Sequence, residues 1–299
     1  MSGFRAIMAF SRPHTVAGTI LSVTGLYLIA LADAPAASDL PVGGLLWALA
    51  ACLGANLYIV GLNQFSDLDI DRINKPDLPL VSGALSLAQG WGIVWTGCIA
   101  AIAIAAWQGP YLLATVLISL AIGTAYSWPP LRLKRYHFWA AACIFTVRGV
   151  VVNLLLFLHL NRLFGQPDGI PPQVWVLTAF VFGLSVVIAW FKDIPDMEGD
   201  SRFRIATLSL RLGPGTVFAL GRGLLAACYL GLIAAALVGI PGVHSGIAVV
   251  SHSLLLAVMI WLGQRTDPAD RAAMSRYYLT IWGLFFSEYL VYSAACLAA

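Results

Sequence analysis

The sequence predicts an all-α polytopic membrane protein of about nine transmembrane helices. Of its 299 residues, 60% are hydrophobic and only 10% are charged, whereas a soluble domain carries about 25% charged residues. The apolar residues also fall into runs long enough to cross a hydrocarbon core, which takes about 20 residues per helix. The basic residues gather in alternate loops, the bias that orients membrane proteins.

The first run, 15–32, follows a short stretch with Arg5, Arg12 and His14. That stretch shows no small-residue cleavage site and no Ser/Arg-rich leader pattern, so the run is read as a retained span. Ala34-Pro35 closes it. The second, 41–62, runs into an acidic segment. The third and fourth, 90–107 and 110–127, are divided only by Gly109-Pro110. Pro129-Pro130 precedes the fifth, 138–160, and Pro171-Pro172 opens the sixth, 172–191. Gly213-Pro214 opens the seventh, 214–238. Pro241-Gly242 separates it from the eighth, 246–263, and the ninth covers 277–297. Gly and Pro punctuate in this way because one permits left-handed backbone and the other cannot continue a helix. The whole chain, 1–299, reads as a single membrane domain.

Fourteen of the 17 Lys and Arg residues lie at the N-terminus or in loops after even-numbered spans, Arg204 among them. Loops on the other side hold only Arg162, and Arg148 and Arg222 lie within spans. This asymmetry predicts a cytoplasmic N-terminus and a C-terminus on the far side. Ten of the 14 acids share the basic face. Loop solubility does not require acids in clusters, so clustering points to a site. The five cysteines (Cys52, Cys98, Cys143, Cys228 and Cys296) each sit in an apolar run without a CxxC pattern. They read as packing residues, neither a disulfide framework nor a zinc site.

Two acidic clusters stand out. Asn63, Asp67 and Asp71 end the second span at spacings of four. Four residues turn a helix about 400°, so the three share a face within about 80° while Asp69 points away. Asp193, Asp196 and Asp200 end the sixth span at spacings of three and four, and Glu198 misses their face. Pro195 either kinks that helix or opens a new one. Carboxylates that share a face repel unless a cation lies between them. Oxygen ligands without His or Cys suit Mg²⁺, which takes one or two carboxylates plus phosphate oxygens and water. Two clusters on one membrane face could hold two Mg²⁺ ions across a diphosphate, with Arg and Lys adding hydrogen bonds.

These residues resemble the UbiA superfamily of intramembrane aromatic prenyltransferases, whose signatures are NxxxDxxxD and DxxxD or DxxDxxxD. The flanking residues resemble the homogentisate prenyltransferase branch, and within it the phytyl-transferring group of cyanobacterial type. They are Asn63 to Pro76, Phe191 to Asp200, Ser11-Arg12-Pro13-His14-Thr15, Ala125 to Arg135, and Val147-Arg148-Gly149 through Asn153. The resemblance covers almost the whole chain. It implies nine helices around a central cavity with a cytoplasmic cap. It implies Mg²⁺, a prenyl diphosphate donor (phytyl first, geranylgeranyl or solanesyl as alternatives) and homogentisate as acceptor, losing CO₂ in prenylquinone biosynthesis. The location it implies is a bacterial inner or thylakoid membrane, or a plastid membrane for a trimmed plant chain. A chlorophyll synthase-like activity is the alternative inside the superfamily. A transporter is the alternative outside it, but transporters bind near the bilayer midplane between broken helices, and these acids collect at helix ends. Nucleic acid is not an expected partner.

Other residues fill out the expected site. Arg148 lies deep in the fifth span, where a charge is costly; it is read as a ligand for the acceptor carboxylate or a phosphate, or as a partner for Glu288. Asn153, five residues on, would lie about 140° away on an α-helix and serves either substrate or a helix–helix hydrogen bond. Arg132 and Lys134 are candidate diphosphate contacts, in a segment with Tyr126 that the resemblance turns toward the diphosphate. Lys75 and Lys192 adjoin the acidic clusters, to bind phosphate or to moderate repulsion. Arg12 and His14 belong to the Arg-Pro-His-Thr motif, as diphosphate and acceptor contacts by resemblance. Asn56 lies seven residues before Asn63, within about 20° of its face, and could point into a cavity beneath the acids.

Overall fold

The computed structural model describes residues 3–35, 40–203 and 205–299, so Arg204 lies outside the described residues. The described elements are helices, in the order α1 (Gly3–Phe10), α2 (Pro13–Ala32), α3 (Val42–Ser66), α4 (Leu68–Asn74), α5 (Leu87–Gln108) and α6 (Pro110–Ser127). They continue with a 3₁₀ turn at Leu133–Arg135, α7 (His137–Phe145), a π-helical stretch Thr146–Leu156, and α8 (Phe157–Leu163). The rest are α9 (Pro172–Lys192), α10 (Met197–Arg202), α11 (Leu208–Leu212), α12 (Pro214–Val238), α13 (Ser245–Gln264) and α14 (Arg271–Leu297). Among the described residues nine helices are long and apolar enough to cross a membrane, with α7 through α8 counting as one, His137–Leu163. They overlap the nine expected runs one for one, the second extending to Ser66 and the ninth beginning at Arg271.

Local chemistry sets the ends. Pro13, Pro110, Pro172 and Pro214 each open a helix, in the first turn, where the N–H has no intrahelical partner to lose. Ser86 and Gln89 form a reciprocal capping box at the start of α5, satisfying two otherwise orphaned donors. The turn between α5 and α6 is made by Gly109 at φ 129°, a region closed to side chains with a Cβ.

α3 packs most extensively against α5, α2 against α14, and α9 against α12 and the π-helical stretch. Gly54 and Gly97 carry the first of these crossings. A Cβ on Gly54 would stand 2.7 Å from the Gly97 carbonyl oxygen. Such backbone contact is how helices associate where no hydrophobic effect drives them together. The central helix is α9, with 67% of its most apolar stretch buried against 22% for α13. Trp107, Leu237 and Leu254 are among the large apolar side chains turned outward, as lipid-facing positions require. In the interior His252 Nε2 lies 3.1 Å from Glu288 Oε2, with both side chains fully buried. The π-helical stretch is the main departure from regular winding, and it carries Arg148 and Asn153. Such segments are rare and often lie at functional sites.

Candidate active site

Each acidic motif starts at the end of a long helix and continues into a short one. α3 stops at Ser66, Asp67 takes a non-helical conformation (φ −113°, ψ 10°), and α4 restarts at Leu68. The Asp71 N–H still donates to the Asp67 carbonyl at 2.7 Å, so the spacing of four survives the break. Asn63 Nδ2 donates to Asp67 Oδ2 at 3.0 Å. In the second motif α9 ends at Lys192 and α10 begins at Met197. A continuous helix through Asp193, Asp196 and Asp200 is therefore not what forms. Pro195 has no N–H and its ring obstructs the preceding turn, so the helix is interrupted there and Asp193 and Asp196 stand at the cap positions of the two helices.

The five aspartates nevertheless line one polar cavity of about 630 Å³, together with Asn63, Lys75 and Lys134. Asp69 and Glu198 stand apart, with side chains 70% and 55% exposed and paired to Arg72 and Arg202. Lysines hold three of the carboxylates. Lys134 Nζ lies 2.6 Å from Asp67 Oδ1, Lys75 pairs with Asp196 and Lys192 with Asp193. Asp71 is only 4% exposed, and its Oδ2 has no hydrogen-bond partner among the described residues. Burial pushes the Asp71 carboxyl up to about 6, against the pull of Lys75 and Arg12. Burial and the neighbouring Asp193 push Asp200 up to about 7. Asp193 is also raised by burial, opposed by Lys192. Burial brings the Lys134 ammonium down to about 8, although Asp67 opposes the change. Among the described residues no three Asp, Glu, His or Cys side chains converge into a ready cage. Mg²⁺ does not need one, since it takes one or two carboxylates and completes its shell from phosphate and water.

A second, apolar cavity of about 270 Å³ adjoins the first. Arg12, His14, Asn63, Tyr126, Lys192 and Tyr278 line both, so the two form one path from polar mouth to apolar chamber. Asn56 and Arg148 line only the chamber. Asn56 Nδ2 donates to Thr15 Oγ1 at 3.2 Å. Cys52 and Cys143, expected as packing residues, are also on its wall. Arg12 opens α2 at φ 52°, and only Arg12 and Arg132 among the described non-glycine residues have positive φ. Such strain persists where surrounding structure enforces it, often at functional sites.

The structure bears on four of these expectations. Arg132 lines neither cavity; its Nη2 donates to the Ser66 carbonyl at 2.9 Å and lies 3.5 Å from Asp67 Oδ1, so it braces the end of α3 beside the first acidic motif. Asn153 is fully buried and also absent from the cavity walls. Its Oδ1 accepts from the Tyr289 hydroxyl at 2.6 Å and its Nδ2 donates to the Gly149 carbonyl at 3.0 Å, which is the helix–helix role. The 140° separation from Arg148 assumed α-helical winding and fails in the π-helix, where residues five apart stand one turn apart. Arg148 does not pair with Glu288, which His252 occupies.

Two features escaped the sequence. Asn74 joins the two motifs: its Nδ2 donates to the Asp196 carbonyl at 3.0 Å and its Oδ1 accepts from the Gly199 N–H at 3.0 Å. A Cβ on Gly199 would lie 2.5 Å from Asn74 Nδ2, so the bridge needs glycine there. Arg271 Nη2 donates to the Asn74 carbonyl at 2.9 Å and ties in α14. Tyr278, Trp282, Phe285 and Tyr289 of α14 form the aromatic wall of the chamber. Their three- and four-residue spacing was a readable helical stripe.

A family model described as the UbiA prenyltransferase family matches residues 20–287. The chain belongs to the UbiA prenyltransferase family. Among members of that family, a homogentisate phytyltransferase of Synechocystis is 46% identical, over 99% of this chain and 96% of that protein. A homogentisate geranylgeranyltransferase of Triticum aestivum is 39% identical, over 96% of this chain and 71% of that protein. The fold is shared with a UbiA homologue of Archaeoglobus fulgidus bound to GPP and Mg²⁺, at TM-score 0.69 and 17% identity, covering 98% of this chain and 100% of that one. The protein is thus a membrane-spanning prenyltransferase.

Proposed function

We propose that this protein transfers a phytyl group from phytyl diphosphate to homogentisate, with loss of CO₂ and in the presence of Mg²⁺, within one membrane domain spanning residues 1–299. The observation that carries this reading is the continuity of a cavity lined by five aspartates and three lysines with an aromatic-walled apolar chamber. A prenyl diphosphate has the same two parts. The phytyl donor is favoured by the Synechocystis relative; the wheat relative makes geranylgeranyl the alternative.

Asp67, Asp71, Asp193, Asp196 and Asp200, with Asn63, would hold two Mg²⁺ ions. The buried, unpartnered Asp71 Oδ2 and the crowding around Asp200 fit a divalent cation. Bound Mg²⁺ supplies charge neutralisation at the departing diphosphate. Lys75, Lys134, Lys192 and Arg12 offer N–H donors to its oxygens. The largely apolar wall of the chamber would keep water from a developing allylic cation, and the π faces of Tyr126, Tyr278 and Trp282 would stabilise positive charge. The basic loops favour a mouth on the cytoplasmic or stromal face. Purified protein in detergent should be inactive in EDTA and recover with added Mg²⁺. Full activity without divalent metal contradicts the proposal, and faster turnover of geranylgeranyl than phytyl diphosphate reassigns the donor.

A further inference from the structure

Arg148 lies half-buried within the membrane-spanning segment His137–Leu163, on the chamber wall, and among the described residues no carboxylate pairs with it. Its guanidinium carbon lies 4.4 Å from the centre of the Trp282 ring and 5.3 Å from that of Phe285. Its Nη1 is buried without a hydrogen-bond partner. An uncompensated charge at this depth is costly. Stacking uses the flat face of the guanidinium and leaves its N–H rim free, and that rim suits a planar bidentate acceptor. The same Trp282 ring meets the His14 imidazole edge-on at 4.9 Å. A cation, an imidazole and an indole are therefore grouped in the chamber that also holds the Asn56 amide.

We infer that Arg148 anchors the carboxylate of a small aromatic acid, the acceptor, and sets the pose of its ring in the chamber. The inference rests on the proposed transfer to an aromatic acid and assigns its recognition to one residue. The rival anion is the diphosphate. Arg148 does not line the polar cavity that holds the aspartates and lysines, so the diphosphate has its own set of cations and Arg148 is left for the acceptor. The π-helical winding from Thr146 to Leu156 and the Asn153–Tyr289 hydrogen bond fix the backbone that carries it. Arg148 is thus a determinant of acceptor selectivity, separate from the metal-binding machinery.

The test compares wild type, Arg148→Met and Arg148→Lys in lipid nanodiscs. It reads KM for homogentisate, KM for phytyl diphosphate, and equilibrium binding of homogentisate and of 2-methylhydroquinone, which lacks the carboxylate. Arg148→Met should weaken homogentisate binding and raise its KM about 10- to 100-fold, the scale of one lost charge-assisted hydrogen bond. Its KM for phytyl diphosphate and its binding of 2-methylhydroquinone should stay within about twofold, the sensitivity of such an assay. Arg148→Lys keeps a cation and should fall between. Equal weakening toward both aromatic ligands, or a rise confined to the diphosphate KM, overturns the inference. Unchanged homogentisate binding in Arg148→Met overturns it as well. A wild-type protein that neither binds nor prenylates homogentisate overturns the proposed reaction itself, a different result from any change confined to the variants.

Discussion

Replacing Asn74 with alanine should loosen the coupling between the two acidic motifs. The Asn74 side chain makes two of the hydrogen bonds that bridge α4 to the Asp196–Gly199 segment, beside the Lys75–Asp196 pair. Asn74→Ala removes both bonds and leaves the Gly199 N–H without its partner in a site where that glycine is buried. Each ordinary bond contributes about 1 kcal/mol, and a stranded buried donor costs about 1–3 kcal/mol. The total is about 2–4 kcal/mol, charged against the arrangement in which Asp71 and Asp196 face one cavity. If about 2 kcal/mol of that appears as weaker ion binding, the Mg²⁺ concentration for half-maximal rate rises about 30-fold. Gly199→Ala should act in the same direction, since its Cβ would collide with the Asn74 amide. The assay is initial rate against Mg²⁺ at saturating donor and acceptor. A Mg²⁺ response unchanged in both variants, with protein still folded, refutes the idea that Asn74 sets the spacing of the motifs.

Asp67→Asn, Asp71→Asn and Asp196→Asn should each lower turnover by about 100-fold or more, given about 1.4 kcal/mol per tenfold. Asp69→Asn and Glu198→Gln, whose side chains point into solvent, should change little; equal losses in all five would contradict the division into cavity and surface acids. Mg²⁺ affinity should rise with pH. With Asp71 near 6 and Asp200 near 7 in the metal-free protein, ion binding must displace their protons below those values. Affinity therefore falls steeply as pH drops from about 7 to 5 and levels off above about 8, which calorimetric titration of Mg²⁺ at several pH values can check; a flat profile would contradict it. Cysteines placed at Asp77 and Asp168 in a Cys-free background should label from opposite sides of the membrane, and same-side labelling would overturn the nine-span topology.

The spans were legible because lipid imposes one requirement, about 20 apolar residues per crossing, and Gly or Pro marks most of the turns. The acidic motifs were legible because spacings of three and four survive even a broken helix: the Asp67 carbonyl still accepts from Asp71 across the change of direction. The break itself was hidden, since nothing in Asp67 differs from its neighbours. The π-helix was hidden for a related reason. Thr146–Leu156 has an ordinary apolar pattern, and it packs against α9 and α6, neighbours that its own sequence does not reveal. The Asn74 bridge was invisible because its partners lie more than 120 positions away, and one asparagine after an acidic helix reads as a turn residue. Arg132 carries a role that its sequence context did not show: besides its place beside Asp67 it braces the end of α3 through the Ser66 carbonyl.

The most direct test of the account uses homogentisate labelled with ¹⁴C at the carboxyl, incubated with purified protein, phytyl diphosphate and Mg²⁺. The account predicts release of ¹⁴CO₂ in step with formation of a methyl-phytyl benzoquinol, one for one, with neither appearing when donor or Mg²⁺ is omitted. Prenylated product that retains the label, or labelled CO₂ released without the diphosphate donor, would contradict it.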